Sequence, residues 1–494
     1  MSTQNEHNGS KHNGSNSDER NHTGGRPAWE REHELMANAV PELREEEDQT
    51  WNVIEQLEQQ QDGLIRMQWF SRVPGSGAPE RLMVAAVQAL ENRGMRVPGW
   101  EPLVDAGLAA LEADDMPALI RAHVQLQEAL AGAERDPSSP YWDFEQYPDW
   151  QSFEADATLS PKVEYTEPRE HYHRRVLAGW QAQIVGGALG TSIEGYTAQR
   201  LRERYGEIRD YLTKPSTYND DITFELAFLR ALDGSGADIT ARDIALQWVS
   251  LIPFAWSAEL IALRNLQEGI LPPASGTHRN PFSEWIGAQM RGAVCGLVAP
   301  GNVREAARLA WMDGTISHGN NGIIGEVFNA VLVARAFVQR DIRALLAEAV
   351  AVLPPKSEYA AVVSFALDAC REASDWQSAW ARCEERFTRY NWVHAYPNAC
   401  AEVVALWFGN GDFDETLHIT AMEGQDVDCN AAQIMTAVAV AGSRGISGES
   451  VVPARWLAPI GDTLYTYVRT MKRMSIHDLA AWTVEGARRL GTVS

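Results

Sequence analysis

Apolar residues in this chain recur at helical spacing almost from end to end, and that period limits the fold more than any other feature. Between residues 29 and 135, Trp51, Ile54, Leu57, Leu64 and Ile65 lie at this spacing, as do Leu82, Val84, Val87 and Leu90. Leu103 to Leu111 and Leu119 to Leu130 make two further amphipathic segments. From residue 166 to 494 the period is again helical, as in Ala330 to Phe337 and Met435 to Val440. Alternating β-branched runs, the mark of half-buried strands, are few. The expected fold class is all-α: a compact multi-helix domain over residues 166–494, preceded by a helical accessory domain over 29–135.

The boundaries follow from the breaks in this period. Residues 1–28, in which His-Asn-Gly-Ser occurs twice, lack the apolar content to offset ordering entropy and read as a disordered tail. Pro98 and the run Asp136-Pro137-Ser138-Ser139-Pro140 interrupt the helices. Residues 136–165, irregular and aromatic, read as a linker packed on a neighbouring surface, with a substrate lid as the other reading.

Charge and cysteine usage narrow the function. The formal net charge is −24, which repels nucleic acid and anionic membranes and attracts metal cations. No apolar run approaches the roughly 20 residues of a membrane span. Five cysteines, an odd number with no Cys-x-x-Cys pair, and a polar start without a signal peptide point to reduced thiols in a cytoplasmic protein. The 17 tryptophans are extra core or flat walls for sugars and bases.

Three clusters carry possible chemistry. Gly186 and Gly190 stand four residues apart, so a helix here can pack closely on a neighbour, and Glu194 follows at its end. Asn219-Asp220-Asp221 precedes the apolar run Phe224 to Leu232. Asp426-Val427-Asp428-Cys429 precedes a small-residue run. Asn or Asp before a helix is a capping signal, and acids suit its positive end. The same oxygens also make a compact set of ligands for a hard cation. Five carboxylates brought together without cations would repel one another and shift by several pKa units. Two divalent cations would remove that cost.

These motifs, in this order, resemble the ADP-ribosylglycohydrolase family, which includes the dinitrogenase reductase activating glycohydrolases. Glu194 matches its Gly-rich helix ending in Glu. Asn219, Asp220 and Asp221 match its Thr-Asp-Asp-Thr type element, and Asp426 and Asp428 its Gly-x-Asp-Thr-Asp element. Asn280-Pro281-Phe282, Glu284 to Arg291 and Ser317-His318-Gly319-Asn320-Asn321-Gly322 resemble the central segments. Trp392, His394 and Asn398 precede the last acidic motif as they do in the family, and Trp456 to Tyr467 resembles its closing segment. The likeness covers residues 170–494. Asn219 stands in place of a Thr, Ile222 and Val427 where Thr is common, and Cys429 at a Thr or Ser position. A thiol is a poor ligand for Mg²⁺.

The resemblance implies a compact ADP-ribosylglycohydrolase-type domain and a metal-dependent glycosidase. Two divalent cations, Mg²⁺ or Mn²⁺, would be held by Glu194, Asn219, Asp220, Asp221, Asp426, Asp428 and the Cys429 position. Asp220, Asp221 and Glu194 would be catalytic. Ser317, His318, Gly319, Asn320, Asn321 and His394 would contact the substrate. The partner would be a small-molecule riboside or an ADP-ribosylated substrate, with the N- or O-glycosidic bond cleaved at the anomeric carbon. Two alternatives stand beside it: a ribosidase for a small metabolite in a specialised pathway, and a non-catalytic ADP-ribose-binding member of the fold. Deleting residues 1–28 is expected to leave activity and melting temperature unchanged; loss of either on truncation contradicts a passive tail.

Overall fold

A computed structural model describes residues 26–46, 49, 53–159, 162–443 and 451–493. The tail expected over residues 1–28 lies outside the described residues as far as residue 25, and the helix Ala28–Asn38 begins at its end. Among the described residues the protein is built of 23 α-helices, with four two-stranded antiparallel pairs as its only sheet. The fold is all-α. No helix among the described residues is long and apolar enough to cross a membrane.

The chain divides into two compact units, one ending at Gln61 and one running from Asp62 onward. Within the second unit, buried apolar side chains from Trp69 to Leu490 form one continuous core. The helices Leu82–Asn92, Trp100–Glu112 and Met116–Ala131 contribute Val87, Val104 and Leu126 to it. Polar contacts reinforce the join. Gln88 Nε2 donates to Arg389 O at 2.8 Å, and Arg93 Nη1 to Asn280 O at 3.2 Å. The aromatic segment after residue 136 is anchored by Tyr141, whose hydroxyl donates to Glu284 Oε1 at 2.7 Å.

At the centre the helix Arg169–Gly190 lies against the helix Val427–Gly442. Both are buried on nearly all sides, so neither shows the amphipathic stripe of a surface helix. Glycine sets their separation. A Cβ on Gly186 would sit 2.6 Å from the Ala431 carbonyl carbon, and one on Gly190 would strike the Asp428 backbone. Farther along, buried Arg175 donates to Val440 O through Nε at 3.0 Å and Nη2 at 2.9 Å, and to Phe337 O through Nη1 at 2.7 Å. A third helix, Asp220–Ser235, is tied to the pair by Gln183 Nε2, which donates to Glu225 Oε2 at 2.6 Å.

One short strand pair then fastens two distant loops. Tyr196 and Thr197 pair with Gln425 and Gly424, and Gly195 N donates to Gln425 O at 2.8 Å. The left-handed Gly424 (φ 73°) leaves no room for a side chain beside the Tyr196 carbonyl. The loop of Glu194 is thereby held next to the start of the helix that carries Asp428. Overpacking this contact by Gly190→Ala is expected to cost about 1–3 kcal/mol and lower the melting temperature. Gly234→Ala, in open space within a helix, is expected to be neutral or stabilising. Circular-dichroism melts of the two variants check this; equal stability contradicts the close approach.

Candidate metal and active site

The three acidic segments converge on one cavity of about 510 Å³. Glu194, Asp220, Asp426 and Asp428 line it, together with Asn219 and Cys429. Asp221 lies behind this layer, fully buried, and accepts a hydrogen bond on Oδ1 from the Cys429 thiol at 3.2 Å.

Asn219 serves two ends at once. It caps the Asp220–Ser235 helix, its Oδ1 accepting from Asp221 N at 2.8 Å. Its Nδ2 donates to Asp428 Oδ2 at 3.2 Å. The amide oxygen is thus used by the helix, and the amide nitrogen faces the carboxylate. Thr191 Oγ1 approaches the same Asp428 oxygen at 3.4 Å. Asp426 caps no backbone group with its side chain, although it stands at the start of the Val427–Gly442 helix. Its N–H donates to Asn398 Oδ1 at 3.0 Å, while Asn398 Nδ2 donates to Trp392 O and His394 O. Asn398 therefore holds together the two loops that flank the cavity.

Burial is the first cause of every carboxyl shift here, and mutual repulsion the second for most of them. Glu194, Asp221 and Asp426 are pushed well above the ordinary carboxylate range by burial and by Asp428. Asp220 is pushed up to about 6 by burial and by Asp428. Asp428 is raised by burial against hydrogen bonds that lower it. Burial and four neighbouring acids raise the Cys429 thiol and keep it protonated.

A divalent cation fits this set. Asp221 Oδ2, Asp426 Oδ1 and Asp428 Oδ1 are buried with no hydrogen-bond donor, a costly state for carboxylate oxygens. Asp426, Asp428 and Cys429 offer ligand atoms within 4.8 Å of one another. The donors are mostly carboxylate oxygens, as a hard cation prefers; the thiol suits it poorly and is occupied with Asp221.

Ser317, His318, Gly319, Asn320, Asn321 and His394 are not among the cavity-lining residues. They belong to polar networks behind it. Ser317 Oγ lies 2.7 Å from His318 Nδ1 and accepts from Arg291 Nη2 at 2.9 Å. Asn320 and Asn321 donate to Glu284. Gly319 N donates to Ser283 O at 3.0 Å. His394 caps the helix Ala395–Gly409, its Nδ1 accepting from Tyr396 N at 3.2 Å, and burial pushes it down to about 3. Arg291 is enclosed by Asp313, Glu259 and Glu326.

Several residues facing the cavity carry no motif in the sequence. Glu259, 4% exposed, lines it and is pushed up to about 7 by burial against the Arg291 charge. Trp256 adds a wall, apart in origin from Tyr467, which ends the closing segment noted in the sequence. A hairpin near residue 75, far upstream of the acidic motifs, also lines the cavity. No described residue of the aromatic segment 136–165 lines the cavity.

The raised carboxyl values give a pH dependence. Each folded-state value lies above its unfolded one, so the folded chain holds more protons. Stability then falls as pH rises from about 4 through the folded values, about 6 for Asp220. The melting temperature of metal-free protein should drop between pH 5 and 8, and saturating Mg²⁺ or Mn²⁺ should flatten that slope. A slope unaffected by cation contradicts the site.

An uncharacterised protein of Archaeoglobus fulgidus is 27% identical over 311 residues, covering 59% of this chain and 93% of its own. A solved structure described as an ADP-ribosylglycohydrolase-related protein complex aligns with 65% of this chain and 99% of its own, at 21% identity and a TM-score of 0.47. The ADP-ribosylglycohydrolase family profile matches residues 168–491, about two thirds of the sequence and all three acidic segments. The chain belongs to the ADP-ribosylglycohydrolase family of hydrolases.

Proposed function

We propose that this protein is a divalent-metal-dependent glycosidase that cleaves the N- or O-glycosidic bond at the anomeric carbon of an ADP-ribose or related ribosyl group. The observation that carries the reading is the convergence of Glu194, Asp220, Asp426 and Asp428 on one cavity, with buried carboxylate oxygens lacking donors. A purely structural cluster would pair these oxygens with N–H groups. The retained carboxylates also speak against a binding-only role.

Glu194, Asp220, Asp221, Asp426 and Asp428 would hold two cations, Mg²⁺ or Mn²⁺. When bound, these would supply Lewis acidity and orient the vicinal ribose hydroxyls. Asp220, half-buried at the cavity wall, would take a proton from the attacking water. The surrounding carboxylates favour the positive charge that develops on the ribosyl ring. Trp256 and Tyr467 line the cavity and would shield the reacting centre from bulk water. Asn219 orients Asp428 through its amide nitrogen.

The substituted positions make the reading testable. Asp428→Asn is expected to weaken apparent Mg²⁺ or Mn²⁺ affinity by more than about tenfold, or roughly 1.4 kcal/mol. It should also raise the melting temperature of metal-free protein by relieving repulsion. Cys429→Thr is expected to hold or tighten metal affinity. Calorimetric metal titration and melting curves of both variants check this. Full riboside hydrolysis in excess EDTA, or greater damage from Cys429→Thr than from Asp428→Asn, contradicts the assignment.

A further inference from the structure

The cavity has a wall that the family match does not include. The match begins at residue 168, yet Ser71, Arg72, Val73, Pro74, Gly75 and Glu80 all face the cavity. They form one hairpin. Ser71 and Arg72 pair antiparallel with Glu80 and Pro79, and the turn is closed by Val73 N donating to Ala78 O at 2.9 Å.

The hairpin is seated on the loop that carries Glu194. Gly75 lies so close to Thr191 that a Cβ would strike its carbonyl oxygen, and the Ala78 methyl would lie 2.6 Å from a Cβ on Gly195. Tyr196 OH donates to Ser76 O at 3.1 Å. With backbone meeting backbone at Gly75 and Thr191, and the Tyr196 bond beside it, the hairpin is seated on this loop as a wall.

Glu80 gives that wall its chemistry. It is only 6% exposed, yet lines the cavity. Its Oε2 accepts from Trp256 Nε1 at 2.5 Å and from Ser71 Oγ at 3.3 Å, and neither bond uses Oε1. Burial pushes the carboxyl up to about 7, which a further N–H donor would counteract. Beside it the rings of Phe254 and Trp256, with centroids 5.8 Å apart, offer an apolar face to a flat group.

We propose that the Ser71–Glu80 hairpin is a specificity element that fits the site to a small free riboside whose leaving group is a flat ring bearing an N–H donor, received by Glu80 Oε1. A site built around a buried acceptor rejects ligands that leave it unpaired far more strongly than an apolar pocket rejects a missing methylene. The inference rests on the ribosyl-binding reading above.

Nicotinamide riboside and nicotinic acid riboside are the probes. They share sugar and ring; one presents a carboxamide, the other a carboxylate that Glu80 repels. Calorimetric Kd and hydrolysis rate are measured for both, with Mg²⁺, on the full chain and on Glu80→Gln. Glutamine keeps the volume and an oxygen for Trp256, and Glu80→Asp, which withdraws the carboxylate by one methylene, serves if Glu80→Gln melts early. The full chain is expected to prefer the carboxamide by at least about tenfold, and either variant to bring the two within about twofold. Equal affinities in the full chain, or a preference that both variants retain, overturns the proposal. So does turnover of an ADP-ribosylated arginine peptide as fast as that of nicotinamide riboside. Failure of the hydrolase reading looks different: neither riboside is cleaved, while the Glu80-dependent preference in binding persists and supports the wall.

Discussion

The glycine-mediated approach of the Arg169–Gly190 and Val427–Gly442 helices is the contact on which the site depends. Gly190 admits the Asp428 backbone, and four residues later the chain delivers Glu194 to the same cavity. A small residue is needed because the second helix brings its backbone, not a side chain that could move aside. The Tyr196–Thr197 pairing with Gly424–Gln425 then fixes the loop of Glu194 to the start of Asp426. Packing thus imposes an electrostatic burden: carboxylates are held together in a place where water is scarce. The upward shifts of Glu194, Asp221 and Asp426 register that burden. A divalent cation is the ordinary physical relief for it.

The all-α class and the acidic motifs were legible in the sequence because both are local patterns. A helical period repeats along the chain, and each acidic cluster occupies a few consecutive residues at a helix start. For Asn219 the two readings compete for one atom: Oδ1, the oxygen a cation would need, caps the helix, and Nδ2 meets Asp428 as a donor. What the sequence could not display was which polar residues face the cavity. The family resemblance assigns Ser317 to Asn321 to substrate contact. In the fold they satisfy buried groups such as Arg291 and Glu284. His394 likewise spends its ring nitrogen on a helix end.

Glu259 and Glu80 illustrate the converse. Each is a single acid in an unremarkable stretch, and its meaning comes from partners far away in sequence. Glu259 meets Arg291, and Glu80 meets Trp256 176 residues along the chain. The aromatic segment 136–165 reads as a packed linker, with a lid as the other reading; its Tyr141 is anchored on Glu284, and none of its described residues lines the cavity. The short polar hairpin at 71–80, with no periodic signal of its own, lines the cavity instead. Residues outside the family match, the acid Glu80 among them, thus help shape a cavity whose converged motif acids lie within it.

The most direct test of the central claim is Mn²⁺ electron paramagnetic resonance on purified protein, titrated with and without Asp426→Asn and Asp428→Asn. The account predicts bound Mn²⁺ in the full chain, with up to two ions per molecule, and loss of that population in both variants while the fold is retained. Mn²⁺ that remains free at all ratios, or bound Mn²⁺ that survives both substitutions, would contradict a metal site at the converged carboxylates.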